Sequence, residues 1–307
     1  MSGKILIAVV GPTAIGKTRL GITIASHFKT EITSADSRQF FREMNIGTAV
    51  PSPDELMAVP HHFIQHKSIF EPYSVGDFER DTIDLLKTLF RKNDFVVMVG
   101  GSGLYVDAVV KGLDKFPEVD SKVRESLRLQ LRQNGLSSLQ EELQQRDPTY
   151  YESVDIENPH RVIRALEICI TANKPYSSFL NKKKESRNFK TIYVGITADR
   201  EIIYERINQR VDTMMDTGLL EEAKKLYRDK HLNALQTVGY RELFQYFDGN
   251  FTLDFAISEI KKNTRRFAKR QLTWLRKNND ILWVNHDEAS SSILEKVTAK
   301  INDTSNG

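Results

Sequence analysis

"GPTAIGKT", residues 11–18, decides how the rest of the chain is read. A glycine, four residues, then Gly-Lys-Thr is the spacing of a phosphate-binding loop. Upstream, "KILIAVV" (4–10) is an apolar run rich in Ile and Val, which reads as a buried strand. Downstream, "KTRLGITIASHF" (17–28) places Leu20, Ile24 and Phe28 at helical spacing. Strand, Gly-rich turn and helix together aim backbone N–H groups and a helix N-terminus at an anion. Lys17 supplies a point charge, and Thr18 a hydroxyl for a phosphate or a metal. Most such loops hold ATP or GTP, so the motif leaves open which phosphates are bound and for what chemistry.

The chain has 307 residues, enough for a large core and two domains. With 40% hydrophobic and 28% charged residues it reads as a soluble globular protein. No apolar run approaches the roughly 20 residues of a membrane span. "ILIAVV" is short and runs straight into the phosphate loop, so no signal or transit segment is expected, and the expected compartment is the cytoplasm. A single cysteine, Cys169, excludes an intramolecular disulfide and a Cys-based zinc cluster. The net charge of +3 is unevenly placed: residues 258–277 carry eight Lys/Arg and one Glu, a local +7. Phe267 and Trp274, seven apart, share one helical face of that segment. Apolar contact inward and positive charge outward suit a phosphate backbone, or a solvated surface helix.

Further strand candidates are "TEITSADS" (30–37), "DFVVMVGG" (94–101), "KTIYVGITA" (190–198) and "DILWVNHD" (280–287). Helical patterns such as "VGDFERDTIDLLKTLFRK" (75–92) lie between them. The alternation predicts an α/β fold, a mostly parallel sheet with helices on both faces. Between about 116 and 187 the rhythm breaks. There "DSKVRESLRLQLRQNG" (120–135), "SSLQEELQQRD" (137–147) and "NPHRVIRALEICITAN" (158–173) are amphipathic, and no strand is evident. The expected organisation is a core of residues 1–115 and 188–307, with an all-helical insertion over 116–187. "NKKKESRNFK" (181–190) reads as a hinge or surface loop, and the tail "NDTSNG" as unstructured.

The strand over 94–99 ends in Gly100-Gly101-Ser102-Gly103, not in the acid that a P-loop hydrolase uses to hold magnesium. An acid sits instead at Asp36. Ligands of open α/β sheets bind beyond the carboxyl ends of strands, so Gly11, Asp36 and Gly100 could share one cleft. Asp36 is then a metal ligand, a general base or simply a turn-capping residue. The glycines at 100–103 would let a ligand approach the backbone, or make a tight turn. "YERINQRVDTMMDTGLLEEA" (204–223) reads as one helix, with Arg206 and Arg210 at i and i+4. Two guanidinium groups on one face can clamp a diphosphate, or pair with nearby acids. The histidines, including "HHF" at 61–63, have no metal-ligand spacing.

Taken in order, "GPTAIGKT", "SADSRQFFREMNIGTAVP", "HHF", "YSVGDFERD", "GGSGLYVDAVVKGL", "ENPHRVIRALEI", "RINQRVDTMMDTGLLEEA", "QTVGYRE" and "RRFAKRQLTWLRK" resemble the bacterial tRNA dimethylallyltransferases, or tRNA isopentenyltransferases, over nearly the whole chain. The resemblance implies a P-loop kinase-like core whose helical insertion helps clamp the tRNA anticodon stem-loop. It implies a prenyltransferase that moves a dimethylallyl group from its diphosphate to the exocyclic amine of the adenine 3′ of the anticodon, in tRNAs reading codons that begin with U. It implies Mg2+, with Thr18 as the protein's ligand. The phosphate loop, Gly11, Pro12, Thr13, Ala14, Ile15, Gly16, Lys17 and Thr18, then holds the prenyl diphosphate. Lys17, Thr18 and Arg210 stabilise the leaving group, and Asp36 is the base. The implied tRNA contacts are Asp36, Ser37, Arg38 and Gln39; Ser102 and Arg124; His160, Arg161, Val162, Ile163 and Arg164; and Gln236, Thr237, Val238, Gly239, Tyr240 and Arg241. The expected assembly is a monomer, with no membrane partner.

The chain departs from the family pattern at four positions. Ile15 stands for a usual Ser, Ser102 for Thr, Val50 for a common Lys and His160 for Gln. The C-terminal zinc finger of eukaryotic relatives is absent from this sequence. Three other functions fit parts of the pattern. An adenylate isopentenyltransferase acting on free nucleotide needs neither the insertion nor the basic helix. A P-loop small-molecule kinase leaves the basic helix unused. A non-catalytic RNA-binding switch has no use for Asp36.

Overall fold

A computed structural model describes residues 3–182 and 186–306. In chain order the elements are β1 (Ile5–Val10), α1 (Lys17–His27), β2 (Ile32–Ser34), α2 (Pro53–Ala58), β3 (His61–His62), α3 (Val75–Leu89), β4 (Phe95–Val99), α4 (Gly103–Lys111), α5 (Ser121–Arg146), α6 (Pro148–Ser153), α7 (Pro159–Ala172), β5 (Lys190–Thr197), α8 (Arg200–Asp216), α9 (Leu219–Leu226), α10 (Tyr240–Phe247), α11 (Leu253–Leu275), β6 (Ile281–Asn285) and α12 (Ser290–Asn306). The six strands form one sheet in the order β3-β2-β4-β1-β5-β6. Every pairing is parallel. β1 is central and wholly buried, which is why it reads as an unbroken apolar run rather than an alternating one.

Two compact units divide the chain, one of Met1–Lys111 with Arg187–Gly307 and one of Gly112–Ser186. The boundaries thus fall at 112 and 187, where the sequence reading puts them at 116 and 188. In the larger unit, alternate residues of the strands feed two apolar layers. Ile5, Ile7 and Val9 pack with α1, α8 and α12. Leu6, Ala8 and Val10 pack with α3 and α4. A third cluster joins Met44, Leu219, Tyr240, Leu243 and Ile260.

Every secondary-structure element among the smaller unit's described residues is helical. Leu127, Leu139, Leu143, Val162 and Leu166 form its core. The backbone leaves helical geometry at Gly135 (φ 76°), so α5 is two helical pieces meeting there, as the separate patterns 120–135 and 137–147 predict. Asp147 caps α6 and also accepts from the Ser177 N–H and hydroxyl at 2.6 and 2.8 Å.

Two expectations are corrected, and one short strand is added. The helix read over 204–223 is broken: Gly218 is left-handed (φ 102°), and α8 and α9 are separate helices. The tail read as unstructured continues α12 to Asn306. "HH" at 61–62 is a short edge strand, where His62 Nε2 meets Glu31 Oε2 at 2.7 Å. Of the segment 181–190, residues 183–185 lie outside the described residues.

Candidate active site

The phosphate loop leaves β1 at Val10 and enters α1 at Lys17. It turns through two left-handed residues, Ala14 (φ 65°) and Gly16 (φ 104°). The second is where a side chain would be most strained, and glycine occupies it. Ile15 drives its side chain into the core at 2% exposure, so this departure from the resembled pattern anchors the loop. Arg206 Nη1 donates to Ile15 O at 3.3 Å. Thr13 N–H donates to Gln271 Oε1 at 2.9 Å, and Gln271 Nε2 donates to Gly101 O at 2.8 Å. A buried glutamine of α11 therefore ties the phosphate loop to the turn after β4.

Beside the loop lies a cavity of about 290 Å³. Thr13 to Arg19, Asp36, Arg38, Gln39, residues 47–51, Arg210, Val238 and Gly239 line it. So do the apolar side chains of Val211, Met214, Leu219, Ile260 and Phe267. Lys17 Nζ donates to Pro12 O at 2.8 Å, folded back on its own loop. Burial pushes the Lys17 ammonium down to about 8; Asp36 opposes the shift and Arg210 adds to it. Burial lowers Arg210 as well, again against the pull of Asp36. One carboxylate thus sits within electrostatic reach of two half-buried cations at the phosphate loop.

Asp36 closes an Asx turn, its Oδ1 accepting from Arg38 N–H at 3.1 Å. That is the capping role the sequence allowed, and it coexists with a place on the cavity wall. Arg38 is turned inward: its Nη2 donates to Gly47 O at 2.9 Å and Val238 O at 2.6 Å. Its Nε is buried with no hydrogen-bond partner among the described residues. Gln39 is 9% exposed and donates to Ala49 O at 2.8 Å. Ser37 and Ser102 share a hydroxyl contact at 3.1 Å.

The remaining candidates separate. Val238 and Gly239 line the cavity, but Tyr240 is fully buried and no surface for RNA. Gln236 Nε2 donates to Lys230 O, and Arg241 Nη2 stands 3.8 Å from Glu242. Arg124, His160, Arg161 and Arg164 belong to the smaller unit. There Arg124 grips buried Glu167 with two bonds of 2.6 and 3.1 Å, and Arg164 reaches the same carboxylate at 3.3 Å. Val162 and Ile163 are core residues, so their side chains cannot be the RNA contacts the run 160–164 implied.

Two further readings change. The glycines at 100–103 make room for the protein rather than for a ligand. A Cβ on Gly100 would lie 2.7 Å from Ala35, and one on Gly103 2.4 Å from the Trp274 ring. Of the Arg206–Arg210 pair, Arg210 lines the cavity, whereas Arg206 is exposed and donates to the carbonyl of Ile15 in the loop. In α11 the charges divide by face. Lys261 pairs with Asp212 at 2.6 Å, and Arg265 with Asn208 at 2.7 Å. Arg266, Lys269 and Arg270 are exposed and fall on one stripe. The sequence reading missed Gln271 on α11 and Glu222 on α9, because their partners lie far off in the chain.

A parallel α/β sheet carrying a phosphate loop, a facing carboxylate and an apolar wall defines a P-loop enzyme that handles a phosphorylated substrate with an apolar part. The family model described as IPP transferase matches residues 39–278. The chain is 61% identical to a tRNA dimethylallyltransferase of Christiangramia forsetii, covering 97% of this chain and 98% of that one. It is 57% identical to the enzyme of the same name from Flavobacterium johnsoniae, with coverage of 97% and 98%. Among solved structures, a tRNA isopentenylpyrophosphate transferase from Bacillus halodurans aligns at TM-score 0.73 and 35% identity, covering 99% of this chain and 98% of that one. A eukaryotic dimethylallyltransferase acting on tRNA has the same fold, at TM-score 0.81 and 24% identity, covering 98% and 80%. The chain belongs to the IPP transferase family.

Proposed function

We propose that this enzyme transfers the dimethylallyl group of dimethylallyl diphosphate to the exocyclic amine of the adenine 3′ of the anticodon, in tRNAs that read codons beginning with U. The observation that carries the reading is the single cavity in which Lys17, Arg210 and the phosphate loop face Asp36 beside an apolar wall. The loop N–H groups, Lys17 and Arg210 hold the diphosphate. Val211, Met214, Leu219, Ile260 and Phe267 seat the prenyl group. Nitrogen attacks the allylic carbon as the carbon–oxygen bond breaks, the electron pair leaves with diphosphate, and Asp36 takes the amine proton. The target base must leave its stack to reach an enclosed site.

Mg2+ fits the donors present. Among the described residues no three His, Cys, Asp or Glu side chains cluster as a metal cage. Mg2+ commonly binds through substrate phosphates, waters and few protein oxygens, and Thr18 on the cavity wall is such an oxygen. When bound, the ion neutralises the departing diphosphate. No helix among the described residues is long and apolar enough to cross a membrane. We place the enzyme in the cytoplasm as a monomer. The anticodon stem-loop contacts Arg124, His160, Arg161 and Arg164 on the helical unit, and Ser37, Ser102, Gln236, Thr237 and Arg241 on the core.

Incubation with labelled dimethylallyl diphosphate and unmodified tRNA tests the reading: label enters the tRNA. Preferential labelling of free AMP would move the assignment to a nucleotide isopentenyltransferase. ATP and GTP hydrolysis should be negligible with or without tRNA, because β4 is followed by glycines where a hydrolase carries its metal-holding acid. Robust ATP turnover with a small acceptor would instead indicate a kinase.

The exposed stripe of α11 supports RNA binding. Arg266, Lys269 and Arg270 replaced together by Ala should weaken tRNA binding and lower its log–log salt slope by about one for each phosphate no longer neutralised. Prenyl diphosphate affinity should hold. An unchanged slope would make the stripe an ordinary solvated face.

A further inference from the structure

Glu222 occupies an unusual place for a carboxylate on a helix surface. Its Oε2 accepts from the backbone N–H groups of Asn45 and Ile46, at 3.0 and 2.8 Å. Its Oε1 accepts from Gly47 N–H at 2.9 Å and from the Tyr240 hydroxyl at 2.6 Å. Three consecutive backbone N–H groups converging on one anion form a nest. Here the anion is the protein's own side chain, reaching across from α9.

The segment it holds is a wall of the cavity: Gly47, Thr48, Ala49, Val50 and Pro51 all line it. That wall in turn sets the residues around Asp36. Gly47 O receives the Arg38 guanidinium at 2.9 Å, and Ala49 O receives the Gln39 amide at 2.8 Å. Gly47 must be glycine, because a Cβ there would stand 2.6 Å from the Tyr240 ring. Glu222 also lies four residues beyond the left-handed Gly218 that separates α9 from α8, the helix of Arg210 and Met214. Tyr240 ties it to the Val238–Gly239 rim. Three walls of the cavity thus meet at one carboxylate.

We infer that Glu222 is a positioning residue for prenyl transfer, which fixes the 45–51 wall so that Arg38 and Gln39 hold Asp36 at the acceptor amine. The inference rests on the proposed reaction. Glu222 itself does not line the cavity. Its effect runs through the segment it clasps. An amide in its place would turn an NH2 group toward N–H donors and lose one side of the nest. Misplacing a reacting group by about 1 Å costs on the order of 10²-fold in rate.

The test compares Glu222→Gln and Glu222→Asp with wild type in single-turnover transfer at saturating substrates. Amide hydrogen exchange over residues 45–51 is measured in parallel. Glu222→Gln should transfer about 10²-fold more slowly, with prenyl diphosphate affinity much less affected and exchange in 45–51 accelerated. Glu222→Asp, which keeps the charge, should recover part of both. A cycle with Gln39→Ala should be non-additive, since the Gln39 amide NH2 loses its acceptors, Thr48 O and Ala49 O, once the wall is loose. A wild-type rate for Glu222→Gln, or additive effects, overturns the inference. So does a rate loss with unchanged exchange in 45–51, or a lowered thermal midpoint with a normal rate in the folded enzyme. If wild type transfers nothing to tRNA, the activity assignment fails, and the exchange comparison still decides whether Glu222 holds the wall.

Discussion

Asp36→Asn should lower the single-turnover rate of prenyl transfer by about 10²–10⁴-fold, the usual worth of general-base assistance, while affinity for dimethylallyl diphosphate changes little. The adenine amine is a weak nucleophile because its lone pair is delocalised into the ring. It becomes acidic only as the new carbon–nitrogen bond forms, so a carboxylate at that nitrogen helps most in the transition state. Asparagine keeps an oxygen to accept from Arg38 N–H, so the Asx turn survives the change. The comparison therefore separates basicity from capping. Near wild-type transfer by Asp36→Asn, measured with saturating tRNA, would leave the residue only its turn.

Lys17→Ala should differ in kind, weakening diphosphate binding and slowing transfer together by about 10²–10³-fold, as expected for loss of a preorganised group at developing negative charge. Its pH dependence has a definite sign. Burial lowers the Lys17 ammonium to about 8 in the free enzyme, and a diphosphate binds the protonated form. In wild type, kcat/KM for the prenyl diphosphate should therefore fall as pH rises through about 8, the amine losing its proton above that point. The same decline should be missing from Lys17→Ala. A wild-type profile flat from pH 7 to 9.5 would remove Lys17 from the binding step.

The central parts of this site were legible because they are local. The phosphate loop is a contiguous pattern between a fully apolar strand and a helix, and Asp36 lies two residues beyond a short strand of the same sheet. Where periodicity carried the reading across a glycine, it failed. Leu219 and Ala223 continue the apolar spacing of α8, which hid the stop at Gly218. The two-residue strand at His61 and His62 is too short to show a period at all. Gln271 and Glu222 are legible only in three dimensions. Their partners lie 258 and 175 to 177 residues away, and nothing local marks a glutamine in a basic helix or a second glutamate in "LLEEA" as a tie between backbone segments. For the same reason the run 160–164 looked uniformly functional as a motif, although helix geometry turns Val162 and Ile163 inward.

The tie made by Gln271 changes how mutational maps of such a protein should be interpreted. A methyl group on Gly101 would fall 2.4 Å from Gln271 Nε2 and 3.4 Å from Lys17 Nζ. The amide would swing away and release both Gly101 O and Thr13 N–H, while the sheet and its apolar layers would be untouched. In a genetic screen Gly101→Ala would express normally, lose function, and score as part of the catalytic apparatus. Yet this position has no side chain with which to touch a substrate. Its contribution is an empty volume, reserved for a neighbour that keeps the phosphate loop in shape.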